Sequence, residues 1–454
     1  MGVAWQLRPA LAALACVLIA AYLQFRGAAG WLTTLLYVVA SLCAASTAIV
    51  VYLMPPSVDL EVQTDRQRFE HVGFLDTELE LSAETQQLIV DEAVDRPTRF
   101  SCRIYYPAAP TSRGGDKEAD GLLTAEGGGA TAAGRRRPAK YAMPADSYAL
   151  SQVAGVPLPP FVYSHLCSMS IRATEQAAAH SDANNLPVIV LSHGLTALPI
   201  CYWSIVGALV RAGYVVVMPT HNDGSAAHVA LQDGTTLPYE TEVAICSRAG
   251  HDMASKEYKD SHESEIEATM KAHRCGQLRR RAAELSCSLD YVLSDEAASS
   301  GGGWSADPHR VAFVGHSFGG ATALLASELD HRAACCVCYD PWVEPQHPVH
   351  QKYQQAGMRR CAGLHLICSD WEGGVVDRNL SAMLSEHRLH SNSRRRVLPD
   401  TAHQSYTDFA LLAPIVLRKL GMLGAAESRP MIRTIVEETL SFIAEAIDPP
   451  PAQL

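Results

Sequence analysis

The sequence predicts an α/β architecture: a doubly wound, mainly parallel sheet behind an apolar N-terminal segment. Three observations predict it. Short runs are apolar at every position, helical patterns alternate with them in the order βαβα, and after Leu60 a nearly uncharged stretch gives way to the composition of a folded soluble domain. Continuous rather than alternating hydrophobicity marks strands covered on both faces. Alternation with helices favours parallel connections.

Taken in order, residues 9–25 read PALAALACVLIAAYLQF between Arg8 and Arg26, and residues 31–54 read WLTTLLYVVASLCAASTAIVVYLM. At about 1.5 Å per residue the second run is long enough to cross a hydrocarbon core of about 30 Å. The first is either a short span or the apolar part of a signal peptide. Residues 1–58 are therefore expected to be a membrane segment with one or two transmembrane helices, placing the protein at a membrane. Arg8, Arg26 and the Arg66/Arg68 pair put similar positive charge on all three flanks, so charge does not choose the side that faces the cytoplasm. Residues 59–454 are expected to form the catalytic domain, with a low-complexity insertion at 111–139, TSRGGDKEADGLLTAEGGGATAAGRRRPA. Buried strands are expected in LPVIVLSHG (186–194), YVVVMPT (214–220), RVAFVGHS (310–317), AACCVCYDPW (333–342) and AGLHLICSD (362–370). Helices are expected over residues 201–212, 262–294, 318–329 and 429–447, and a loop at ASSGGGWS (298–305).

Composition narrows the partners. Acidic residues outnumber basic ones 48 to 37, and a net charge of −11 repels polyanions, which excludes nucleic acid as a partner. Arg triplets at 135–137, 279–281 and 394–396 are expected on the solvated surface. The 13 cysteines lack the paired spacing of a zinc site, and Cys335, Cys336 and Cys338 are expected to pack as small hydrophobes in a strand. Composition does not fix the oligomeric state.

In doubly wound sheets the chemistry sits where strands end. That filter selects His193-Gly194-Leu195, His221, Ser317, Asp340 and Asp370. At 315–319 the chain reads Gly-His-Ser-Phe-Gly, after an apolar strand and before an Ala/Leu helix. This is the strand-turn-helix setting of a nucleophile elbow, in which Ser317 is exposed on a strained turn. A serine hydroxyl needs a base. Of His331, His347, His350, His365, His387, His390 and His403, the last lies in a polar loop after an extended segment and is the best candidate. His365 sits within an apolar run and reads as core. Asp340 and Asp370 end consecutive strands, and either could orient the imidazole; the usual place after the later strand favours Asp370. The second oxyanion donor beside the Phe318 amide is expected from Leu195, because His193-Gly194 lets the chain turn sharply there. His193 itself is read as a structural hydrogen bond in that turn, and His221 as a loop residue lining the cleft.

The motifs SHGL (192–195), GHSFGGAT (315–322), DPW (340–342) and HQSYTDF (403–409) together resemble the platelet-activating-factor acetylhydrolases of the plasma and intracellular type II kind, which are serine-dependent, calcium-independent phospholipases A2. The resemblance runs from about residue 100 to about 410. It implies an α/β-hydrolase fold with nucleophile Ser317, base His403, acid Asp340 rather than Asp370, and oxyanion donors Leu195 and Phe318. It implies no metal and no cofactor. The implied substrate is a glycerophospholipid with a short or oxidised acyl group at the sn-2 position; the alternative is a general carboxylesterase or neutral lipase of the same fold. The N-terminal apolar runs and the 111–139 insertion depart from the secreted members' pattern.

Overall fold

Apolar runs too short for helices, with β-branched residues throughout, become the centre of one twisted sheet. The computed structural model describes residues 14–19, 30–53, 58–83, 96–110, 138–153, 163–300, 303–344, 361–385 and 392–447. Most of the first apolar run and residues 111–137 of the insertion lie outside them. The strands are β1 (His71–Glu80), β2 (Arg99–Ala108), β3 (Pro138–Lys140), β4 (Ser170–Glu175), β5 (Leu186–Ser192), β6 (Val215–Thr220), β7 (His228–Ala230), β8 (Thr236–Pro238), β9 (Ala306–His316), β10 (Ala333–Tyr339), β11 (Ala362–Cys368) and β12 (Arg394–Leu398). All but β7 and β8, which form a separate hairpin, join in the order β12-β11-β10-β9-β5-β6-β2-β1-β4-β3. The six from β12 to β6 are parallel, and β2 pairs antiparallel with both β6 and β1.

The five expected strands are thus β5, β6, β9, β10 and β11, and every residue of β5 is buried. The helices used below are α1 (Gly30–Leu53), α2 (Pro144–Val153), α3 (Trp203–Arg211), α4 (Glu263–Val292), α5 (Phe318–Leu329), α6 (Val375–Ser385), α7 (Phe409–Leu412), α8 (Pro414–Lys419) and α9 (Ser428–Ile447). Four of these, α3, α4, α5 and α9, are the helices the pattern predicts. Two apolar cores cover the sheet's faces. One is built with α3 and α9 and includes Trp203, Ile432 and Leu440; the other, with α4 and α5, includes Leu278, Leu285 and Leu325. Both faces of the central strands are therefore dry, and their carboxyl ends form one open edge.

Three expectations change. Among the described residues no helix is long and apolar enough to cross a membrane. The transmembrane spans therefore find no support among the described residues. The Arg triplet at 279–281 is not a solvated face: Arg280 and Arg281 are 5% and 0% exposed. Finally, the stretch expected to be a loop at 298–305 begins inside a short helix, Asp295–Ser300.

Candidate active site

Ser317 sits where β9 turns into α5, with φ +58° and ψ −121°, a backbone region that a residue with a side chain enters only under constraint. Two glycines impose the constraint by closeness. A Cβ on Gly315 would lie 2.0 Å from the Gly319 carbonyl oxygen, and one on Gly319 would lie 2.1 Å from that of Ser192. The bend is fastened by the Ser317 amide, which donates to the Tyr339 carbonyl (2.8 Å), and by the Ser317 carbonyl, which accepts from the Trp342 amide (3.0 Å).

Asp340 ends β10 in a second left-handed turn, φ +42°, and is fully buried. Its Oδ2 lies 3.0 Å from His403 Nδ1, while Oδ1 accepts from the Cys368 amide at 2.6 Å. Nδ1 must carry the proton in that contact, since a carboxylate only accepts, which leaves Nε2 with a lone pair. The imidazole is stacked on Trp371, centroids 4.2 Å apart, and is 27% exposed. Asp370 is exposed on a short 3-10 turn, its amide donating to Thr401. Of the two carboxyls that end strands, the structure brings only Asp340 to His403.

The loop after β5 passes beside this centre. Thr196 has φ +59°, and its amide donates to the Ser225 carbonyl at 2.7 Å. Among the described residues the Leu195 and Phe318 amides have no acceptor. Phe318 is the first residue of α5, where an amide lacks an intrahelical partner. A hydrogen-bond chain that sequence reading missed ties this loop to the base. The Gly194 amide donates to Tyr202 Oη (3.0 Å), Tyr202 Oη contacts His316 Nδ1 (3.0 Å), and His316 Nε2 contacts the His403 carbonyl (3.0 Å). An amide at one end and a carbonyl at the other fix the direction: Tyr202 donates to Nδ1, and His316 holds its proton on Nε2. Burial, then the neighbouring His403, keeps His316 well below the ordinary histidine range, and burial pushes the Tyr202 phenol up. Both therefore stay neutral.

Ser317 and His403 line one cavity of about 160 Å³, together with Leu195 and a wall from α2, α7 and α8 that includes Leu150, Phe409, Leu412 and Val416. Among the described residues no Asp, Glu, Lys or Arg lines it. The site thus combines a strained hydroxyl, an oriented imidazole and two unpaired amides at the end of an apolar chamber, and such a set can do acyl transfer. Among the described residues no group of three or more His, Cys, Asp or Glu is placed to hold a metal ion.

Two other histidines lie behind the loop. His193 accepts from the His221 amide at Nε2 (3.2 Å) and donates from Nδ1 to the Gly194 carbonyl (2.8 Å), the structural bond the sequence predicts. His221 does not line the cleft. It is fully buried between Ser192 Oγ and Glu284 Oε2, each 2.8 Å away. That Ser-His-Glu array has the hydrogen-bond order of a triad, but all three residues are fully buried and none lines the cavity. Burial pushes Glu284 up to about 7 and His221 well down. His365 is core, as expected, and His347, His350, His387 and His390 lie outside the described residues.

Comparison with known proteins adds three findings. A family model described as platelet-activating factor acetylhydrolase, isoform II, matches residues 151–300 and 304–449. The platelet-activating factor acetylhydrolase of Cavia porcellus is 26% identical over 276 residues, 57% of this chain and 56% of the relative. That of Canis lupus familiaris is 31% identical over 273 residues, with the same shares. The chain thus spans a little over half the length of these curated relatives. Among solved structures, a ferulic acid esterase from Streptomyces cinnamoneus superposes with TM-score 0.54 at 18% identity, covering 84% of this chain and 92% of the other, a likeness of fold.

Proposed function

The chain belongs to the platelet-activating factor acetylhydrolase, isoform II, family, and from that premise we propose that it is a serine carboxylic ester hydrolase acting on the short sn-2 acyl ester of platelet-activating factor and similar or oxidised glycerophospholipids. The observation that carries the reading is the Asp340–His403 contact behind a cavity that His403 and Ser317 line together. His403 Nε2 takes the Ser317 proton as Oγ attacks the ester carbonyl, and the oxyanion accepts from the Leu195 and Phe318 amides. The imidazolium, steadied by Asp340, then protonates the departing lysolipid oxygen. Water attacks the acyl-serine along the same path in reverse, and the carboxylic acid leaves. Among the described residues no charged one lines the chamber, which suits an alkyl or acyl chain and leaves a phosphocholine head outside.

Purified full-length protein should cleave 1-alkyl-2-acetylglycerophosphocholine faster than its palmitoyl counterpart. Ser317→Ala should lose at least about three orders of magnitude in kcat, together with labelling by a fluorophosphonate. Faster turnover of octanoyl or palmitoyl esters, with acetylated phospholipid untouched, would replace this reading with a general carboxylesterase or neutral lipase. Membrane attachment through the apolar runs 9–25 and 31–54 belongs to the same proposal, supported by the absence of charge within each run. Release from membranes by alkaline carbonate would overturn it.

A further inference from the structure

We propose that Arg281 is a positioning residue for the oxyanion site: one buried guanidinium holds the segment on both sides of Leu195 and the ring of Phe318. This rests on the reading of Leu195 and Phe318 as the oxyanion donors. Arg281 projects from the middle of α4 and is fully buried. Its Nη1 donates to the His193 carbonyl at 2.7 Å, two residues before Leu195. Its Nε donates to Ser225 Oγ at 2.9 Å and to Asp223 Oδ2 at 3.1 Å, and Ser225 Oγ in turn donates to Asp223 Oδ1. The Ser225 carbonyl accepts from Thr196, the residue after Leu195. The Leu195 amide therefore lies between two anchors, at 193 and 196, that lead to the same guanidinium. The plane of charge also sits over the Phe318 ring, 4.6 Å from its centroid.

Stability alone is a poor reason to keep such a group. A buried ion pair of this kind gains little over apolar residues of similar volume, because both charges lose their hydration. What the pair supplies is direction, since the planar fork addresses three acceptors and a ring at fixed angles, which a lysine ammonium cannot do. Catalysis by two fixed amides is sensitive to that kind of placement: losing one donor costs about 100-fold to 1,000-fold in kcat, and moving it costs part of that.

The test compares Arg281→Lys, which keeps a cation facing Asp223, and Ser225→Ala, which keeps the ion pair and cuts one tether, with wild type on the acetylated phospholipid. Two inhibitors report the site: a trifluoromethyl ketone that forms a tetrahedral adduct with Ser317, and an ether analogue of the substrate that forms none. For Arg281→Lys we expect kcat to fall about 10-fold to 100-fold with KM within about twofold. Ketone affinity should fall in step with kcat while ether affinity holds, and Ser225→Ala should show the same split with a smaller loss. If folded variants keep wild-type kcat and ketone affinity, or if ether and ketone affinities fall together, Arg281 is only structural. Should Arg281→Lys not fold, Ser225→Ala decides by the same criteria. A wild type that neither hydrolyses the ester nor binds the ketone would instead overturn the underlying assignment.

Discussion

Asp340 uses both carboxylate oxygens for different purposes: Oδ1 holds the last residue of β11 through the Cys368 amide, and Oδ2 faces His403 Nδ1. Replacing it by Asn keeps an acceptor for Cys368 but turns an N–H toward His403, so the imidazole must accept at Nδ1 and carry its proton on Nε2. A base in that tautomer cannot take the serine proton. Asp340→Asn should therefore lower kcat about 10,000-fold while melting within a few degrees of wild type. Asp370→Asn, at an exposed position with no contact to His403, should change kcat less than twofold. Equal losses in the two would remove the proposed acid. The pair also marks where sequence reading ended. Each aspartate follows a buried run, and nothing in their spacing records that β10 finishes in a left-handed turn aimed at the base loop, while β11 runs on into a 3-10 turn. Only the resemblance separated them. The elbow was legible from its residues alone, because Gly315 and Gly319 are demanded by backbone approaches of 2.0 and 2.1 Å.

At the scale of elements, α3 begins with a cap from the far end of the chain. Asp408 Oδ2 accepts from the Trp203 amide at 2.8 Å, and Oδ1 accepts from the Ser204 amide at 2.9 Å and from its hydroxyl. The carboxylate thus fastens the segment that carries His403 to the helix behind the oxyanion loop. Asp408→Ala would orphan two buried amides at a helix start and should destabilise the protein by about 2 kcal/mol, read as a lower denaturant midpoint. An unchanged midpoint would show that the cap is idle. HQSYTDF was legible as the carrier of the base, but this role of its aspartate was not, since cap signatures are local in sequence and this one spans 205 residues. Similar limits explain the other gaps. β1 and β2 lie toward the antiparallel side of the sheet, where burial is mixed along the strand, so they lack the unbroken apolar run that revealed β5 and β9. The arginines of α4 looked like surface because charge runs usually are; apart from Glu284, one turn along the same helix, their acceptors, Asp223 and backbone carbonyls, come from other elements.

Across the whole molecule, buried titratable groups set a balance that pH can read. His193, His221 and His316 are all held well below 6.5 and His365 is pushed down to about 4, burial being the main cause. The folded chain keeps them neutral where the unfolded chain would protonate them, so as pH falls through 6.5 each withdraws stability at up to about 1.4 kcal/mol per pH unit. Two carboxyls act in the other direction. Burial raises Glu284 to about 7 and Asp408 to about 6, against 4.5 and 3.8 for free side chains. A raised acid binds its proton more tightly when folded, so its contribution is complete below the unfolded value and disappears as pH rises through the folded one. Between pH 7 and 5 these carboxyls offset part of what the histidines withdraw. Asp223 stays out of this window: burial would raise it, but Arg281 more than offsets that and holds it below the usual carboxylate range. The histidines outnumber the carboxyls, so wild type should show a net loss of stability from pH 7 to 5. Glu284→Gln, which removes one of the two opposing groups and leaves His221 without a carboxyl partner, should lose it more steeply by about 2 to 3 kcal/mol over the same interval. Denaturant midpoints of both proteins at pH 7, 6 and 5 check this. A variant curve parallel to wild type, or shallower, would mean that Glu284 is already ionised in the fold at pH 5 and that its proton is not part of the balance.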